Sequence, residues 1–263
     1  MEIGISLACF YPEHPEDVVD RVCDMGFKTA ELFLNTFSEL DASYIKSLAD
    51  LCNKRDLTIY SIHPFTSALE NYMFFSPYDR RIKDSVYLYQ KYCDVAKAFD
   101  AKVINFHGDR GLGLQNFDEY CECLAPLTEL SEKNNVVISH ENVFFNSINH
   151  PEFVRKLRKK LGDSVKFTFD IKQANKGGAN PYELCEAMSS DVVNFHINDY
   201  DEENICLLPG DGIVEHKKLI KTLLRNNYSG PAIIEVYRSN FSDIDDILRS
   251  KLYLEKIIKA LEL

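Results

Sequence analysis

The sequence predicts a single-domain α/β protein folded as a (β/α)8 TIM barrel, and three observations carry that reading. Short runs rich in Val, Ile and Phe alternate with longer amphipathic stretches along the whole 263-residue chain, eight of each. No Gly-rich first turn opens the chain, as it would in a doubly wound nucleotide-binding sheet. Six of the strand-like runs end on a histidine or a carboxylate, and a barrel would gather those endings on one rim.

The elements follow in order. A first strand over 2–7 leads to a helix over 15–25, with Pro15 in its first turn and Gly26 just past its end, where a left-handed cap is expected. Strand 28–34 and helix 41–55 come next, then strand 57–62, ending at His63. The stretch 63–79 reads as a long loop on the catalytic rim, its aromatics Tyr72, Phe74, Phe75 and Tyr78 suited either to a pocket wall or to plugging the loop. Helix 80–99, strand 102–107 and helix 116–133 follow, then strand 136–141 and helix 150–161, with Asn149 as the expected start of that helix. Strand 165–170 precedes helix 181–189, which Asn180 should cap. Strand 191–197, a second long loop over 198–213, helix 214–226, strand 231–236 and helix 243–260 complete the series. The last helix opens on Asp243, Asp245 and Asp246, matching the positive end of its dipole. No linker, repeat or low-complexity stretch divides the chain, so residues 1–263 are expected to form one domain.

Composition excludes several classes. A net charge of −11 opposes a nucleic-acid surface, which needs a basic field to meet phosphates. No stretch approaches the roughly 18 apolar residues of a membrane span. Met-Glu-Ile-Gly-Ile-Ser lacks the basic start and apolar run of a secretion signal. The cysteines at 9, 23, 52, 93, 121, 123, 185 and 206 form no Cys-x-x-Cys pair and read as reduced core residues. Together these predict a cytoplasmic protein with a small-molecule partner.

Four endings stand apart: Val-Val-Ile-Ser-His-Glu141, Val-Lys-Phe-Thr-Phe-Asp170, Val-Val-Asn-Phe-His196 and Ala-Ile-Ile-Glu235. Three carboxylates and an imidazole suit Mn2+, Mg2+ or Co2+, tolerate Zn2+, and leave coordination positions open for substrate oxygens. A buried, unpaired carboxylate is costly, and a cation removes that cost. His63 and His107 should face the same mouth, as substrate contacts or as ligands of a further metal. Glu31, inside Thr-Ala-Glu-Leu-Phe, should point into the barrel and pair with a histidine there. Lys172, Gln173 and Arg238 lie on the catalytic edge as candidate substrate contacts, the two cations suited to a phosphate or carboxylate. Asp199 is expected either to orient the His196 ring or to bind substrate. His14, His140, His150 and His216 read as structural or surface residues, with His140 turned to the helix layer.

These motifs, in order along the chain, resemble the xylose isomerase-like TIM barrels: Ser-Ile-His63-Pro, Asn-Phe-His107-Gly-Asp, His-Glu141-Asn, Thr-Phe-Asp170-Ile-Lys-Gln-Ala, Asn-Phe-His196-Ile-Asn-Asp199, Leu-Pro-Gly210-Asp-Gly212 and Ile-Ile-Glu235. That superfamily holds sugar and sugar-phosphate isomerases and epimerases, and also the AP endonucleases. The resemblance implies one divalent ion on Glu141, Asp170, His196 and Glu235, with Glu141 and Glu235 also moving the proton. It implies a metal-dependent isomerase or epimerase of a small sugar, keto-polyol or sugar phosphate, with homo-oligomers common among such proteins. A keto-polyol dehydratase or a non-catalytic sugar-binding barrel would use the same scaffold. Gln173 stands where the endonucleases, and many isomerases, place histidine, and Asn204-Ile-Cys206 where the endonucleases place Asp-x-His. The endonucleases' three-metal set is therefore incomplete, which argues against DNA cleavage.

Overall fold

The protein, a computed structural model describing residues 1–110 and 117–261, is a closed barrel of eight strands paired in sequence order, every neighbour parallel. The strands are β1 (Ile3–Ser6), β2 (Thr29–Phe33), β3 (Thr58–His63), β4 (Val103–Phe106), β5 (Val137–Glu141), β6 (Phe167–Asp170), β7 (Val192–Ile197) and β8 (Ala232–Ile234). The helices are α1 (Pro15–Asp24), α2 (Ala42–Lys54), α3 (Ser67–Phe74), α4 (Asp79–Phe99), α5 (Phe117–Asn134), α6 (Pro151–Leu161), α7 (Ile171–Lys176), α8 (Pro181–Met188), α9 (His216–Arg225) and α10 (Ile244–Lys259). All eight predicted strands and all eight predicted helices are present; residue 116, the first expected for α5, lies outside the described residues.

Caps explain several boundaries. Gly26 adopts φ +75°, a left-handed conformation that costs glycine little, and turns the chain from α1 into β2. The Asn180 side chain accepts from the N–H groups of Tyr182 and Glu183, and Asp243 does the same for Asp245 and Asp246. Asn149 does not cap α6 as expected. His150 takes that place, and Asn149 turns inward to accept from the Asn142 side chain, because the chain makes an extra 3-10 turn over Ser147–Asn149 first.

Two helices, α3 and α7, were not expected. The first lies inside the predicted loop 63–79. Glu70 on it is buried and accepts from the backbone N–H groups of His107 (2.6 Å) and Gly108 (2.9 Å), and from Tyr89. That carboxylate pins α3 across the end of β4. Phe74 and Phe75 plug this region against Phe106 and Tyr89 or Tyr120, whereas Tyr72 and Tyr78 are exposed.

Strand alternation separates two cores. Ile5, Leu32, Ile62, Phe106, Phe167 and Phe195 are fully buried against the helix layer. The opposite faces of successive strands carry Ser6, Glu31, Ser61, Asn105, Ser139, Thr168 and Asn194, all buried and mutually in register across most pairs. A polar layer of this kind inside a barrel survives only if its members satisfy one another. Ser6, Ser61, Asn105 and Asn194 bond Glu31, and Ser139 and Thr168 join through the Asn105 side-chain carbonyl.

Candidate metal centre and substrate pocket

Glu31 is the hub beneath the site. Its carboxylate accepts from Ser6 (3.2 Å), Ser61 (2.7 Å), Asn105 (2.8 Å), Asn194 (3.1 Å) and the His196 Nε2 (2.9 Å). Burial pushes its pKa up, but the adjoining His196, with His63 beyond it, brings it below the usual value. Holding a proton on Nε2 leaves the His196 Nδ1 as the nitrogen that faces the barrel mouth.

Around Nδ1 stand the other three predicted ligands. Glu235 Oε2 lies at 3.3 Å, and Glu141 Oε1 and Asp170 Oδ2 each lie at 3.7 Å. Ligand atoms of Glu141, Asp170, His196 and Glu235 all fall within 4.8 Å of one another, and all four residues are buried. Nδ1 itself is buried without a hydrogen-bond partner. Burial opposes a charge on this ring, yet the carboxylates raise its pKa well above the usual histidine value. The field that would protonate Nδ1 would equally hold a cation in the proton's place. The donor set therefore fits a divalent ion with oxygen and nitrogen ligands.

Asp170 divides its oxygens. Oδ1 accepts from the Gln173 backbone (3.1 Å), capping α7, and from the Asn198 side chain (3.1 Å), while Oδ2 turns to the site. Lys172, a residue only 6% exposed, carries its ammonium to both Asp170 Oδ2 and Glu235 Oε2. Burial lifts the Glu235 carboxyl, but Lys172 and His196 hold it well below the ordinary range.

His63 and His107 form a second group with Glu141. Their Nε2 atoms are 3.2 Å apart, and Glu141 Oε2 lies 3.0 Å from His107 and 3.6 Å from His63. Burial would lower the His63 pKa, yet Glu141 and Glu31 raise it to about 9. These three residues also have ligand atoms close enough to share an ion, so Glu141 sits between two candidate groups.

Above them opens a cavity of about 370 Å³ lined by His63, His107, Glu141, Lys172, Gln173 and Glu235, with walls from Tyr11, Phe33 and Tyr237. The Phe33 ring packs on the His63 ring at 4.8 Å between centroids. Sequence reasoning missed these walls. Tyr11, Phe33 and Tyr237 sit at or just past strand ends, which was the one signal available for them.

Two expected substrate contacts lie elsewhere. Asp199 does not reach the His196 ring or the cavity. Its carboxylate accepts from the N–H groups of Tyr200, Gly210, Gly212 and Val214, folding loop 198–213 around itself, and a Cβ on Gly212 would meet its Oδ1 at 2.4 Å. Arg238 is exposed, donates to the Phe241 carbonyl (3.0 Å) and lies over the Phe241 ring, because the 3-10 turn after β8 carries it outward. His140 faces the helix layer as expected, edge-on to Phe106, and burial lowers its pKa to about 4.

The sequence model of the xylose isomerase-like TIM barrel family matches residues 19–257. Among solved structures, a D-tagatose 3-epimerase-like protein aligns with TM-score 0.81 and 22% identity, covering all of this chain and 98% of its own. A D-psicose 3-epimerase from Clostridium cellulolyticum H10, solved with D-tagatose, aligns with TM-score 0.79 and 17% identity over 98% of this chain and 99% of its own. The IOLI protein, solved with a bound zinc atom, aligns with TM-score 0.77 and 15% identity over 98% and 96%. At such identities the likeness is one of fold.

Proposed function

The chain belongs to the xylose isomerase-like TIM barrel family, and from that premise and the site's geometry we propose a divalent-metal-dependent isomerase or epimerase of a small sugar or keto-polyol. The observation that carries this reading is the unpartnered His196 Nδ1 facing three carboxylates at the floor of an aromatic-walled cavity. Support for a sugar comes from the epimerases of like fold, and support for a metal from the zinc-bound neighbour.

A divalent ion held by Glu141, Asp170, His196 and Glu235 would polarise a carbonyl and the hydroxyl beside it. Glu141 and Glu235 are the candidate proton carriers. They reach the site from β5 and β8, non-adjacent strands, so each addresses the substrate from its own side. Both are ionised and line the cavity, as a general base must. A proton taken from one carbon and returned to its neighbour on the same side gives isomerisation, and one taken by one glutamate with a proton returned to the same carbon by the other, from the opposite side, gives epimerisation. His63, His107 and Gln173 would hold substrate oxygens, while Tyr11, Phe33 and Tyr237, on the same cavity, would cover its carbon faces and limit water. Lys172 is the sole lysine or arginine on the cavity among the described residues. A phosphate dianion calls for several such donors, which favours an uncharged sugar.

The test is proton exchange followed by NMR in D2O, using Mn2+-loaded protein and a panel of ketoses, keto-inositols and their phosphates. Washout of a carbon-bound proton that stops on adding EDTA is expected. Silence across the panel with Mn2+ bound would refute the isomerase reading, and an unsaturated product would mark dehydration instead.

A further inference from the structure

Lys172 occupies the second position of α7, two residues after Asp170. A lysine in the first turn of a short helix ordinarily extends to solvent, leaving only its methylenes against the protein. Here the side chain folds back instead, and its ammonium contacts Asp170 Oδ2 and Glu235 Oε2. Those are the same two oxygens that face the His196 Nδ1, at 3.7 and 3.3 Å. Asp170 has no second oxygen to offer, because Oδ1 is committed to the Gln173 N–H and the Asn198 side chain. An ammonium and a divalent ion on these oxygens would stand a few ångströms apart in a dry site, where like charges repel strongly.

We propose that Lys172 is a built-in competitor for the divalent ion: its ammonium and the ion exclude one another at Asp170 Oδ2 and Glu235 Oε2, and metal loading turns the ammonium into the adjoining cavity. The side chain already lines that cavity, so a change of rotamer suffices for the move. The site then always holds positive charge against its clustered carboxylates, and its metal affinity is lower than three carboxylates and an imidazole alone would give. Released, the ammonium becomes a donor to substrate oxygens only in the loaded protein. This inference rests on Glu141, Asp170, His196 and Glu235 being metal ligands.

The experiment is a Mn2+ titration of the full chain, followed by the EPR signal of free Mn2+, comparing wild type with Lys172→Met and Lys172→Gln, and with Asp170→Asn as the ligand control. Both lysine variants should bind Mn2+ at least about tenfold more tightly than wild type, a difference of about 1.4 kcal/mol, and Asp170→Asn should bind poorly. Equal or weaker binding in the lysine variants, with wild type still binding, would overturn the competition and leave the metal centre standing. No Mn2+ binding by any of the proteins would overturn both. A second measurement needs no variant: reductive methylation of wild type, read by mass spectrometry, should modify Lys172 more when Mn2+ is present. Unchanged or reduced labelling would overturn the release of the ammonium.

Discussion

Strands β5 to β8 bring Glu141, Asp170, His196 and Glu235 to their C-terminal rim, with ligand atoms within 4.8 Å of one another. Strands β1 to β4 bring none of those four, and contribute Glu31, His63 and the apolar wall of Phe33 instead, with Tyr11 and His107 just beyond. The ring of strands is continuous, yet its chemistry is lopsided. One half supplies the four donors grouped at His196; the other orients one of them, sets His63 and His107 beside Glu141, and shapes the space above. A donor must sit within about half an ångström of its place, and strand ends hold a side chain more precisely than loops do.

That contrast can be broken most sharply in the second half. Glu141→Gln and Glu235→Gln should each lower kcat by about 1,000-fold or more on a confirmed substrate. Steady-state kinetics with Mn2+ at saturation checks this, and full activity in either variant would remove that glutamate from proton transfer.

The outward face of β5 provides the next test, because His140 neighbours Glu141 but serves the helix layer. Its pKa is about 4 in the fold against 6.5 in the unfolded chain, so the unfolded chain takes up the proton first. The stability this histidine permits above pH 6.5 is lost as pH falls toward 4, by at most about 3 kcal/mol. Urea unfolding at pH 7 and pH 4.5 should show a smaller difference between the two pH values for His140→Phe than for wild type.

Glu31→Gln should weaken Mn2+ binding by about 10- to 100-fold although Glu31 is not among the four, since a neutral amide no longer fixes the proton on His196 Nε2. Titration with Mn2+ measures this, and unchanged affinity would mean that the first half has no part in ligation. Phe33→Ala should raise KM by about 5- to 10-fold with kcat nearly unchanged, the mark of lost uniform binding. Arg238→Ala, at the edge of the second half but turned outward, should leave both constants within about twofold, as expected of an exposed side chain away from any special feature.

Much of this was legible in the sequence because period and position speak to strand ends. The alternation of apolar runs located every strand of the barrel, and the side chain closing each run located Glu141, Asp170, His196 and Glu235 on one rim. The pairing of Glu31 with a barrel histidine followed from alternation alone. The loops were less legible, since loop contacts depend on distant partners that no local period encodes. Nothing near Asp199 announces that four N–H groups, three of them 11 to 15 residues onward, will fold back on it. Helix α3 was hidden because its aromatics suited a pocket wall or a plug alike, of which Phe74 packs as a plug, and Glu70 on it finds its partners outside the helix, in Tyr89 and just past β4. Lys172 looked like a rim cation because Glu235, the second of its carboxylate partners, arrives only once β8 has paired with β7.

The hub at Glu31 also bears on how the chain comes together. Its donors arise from β1, β3, β4 and β7, spread along the sequence from Ser6 to His196. A nascent chain that stops after β4 would enclose this carboxylate without Asn194 and His196, and an uncompensated buried charge is among the costliest arrangements a protein can hold. Half-barrels cut from this chain should therefore remain open or seek each other out. Closure of the ring and orientation of His196 become one cooperative event, so a folded molecule is already a molecule with its site assembled.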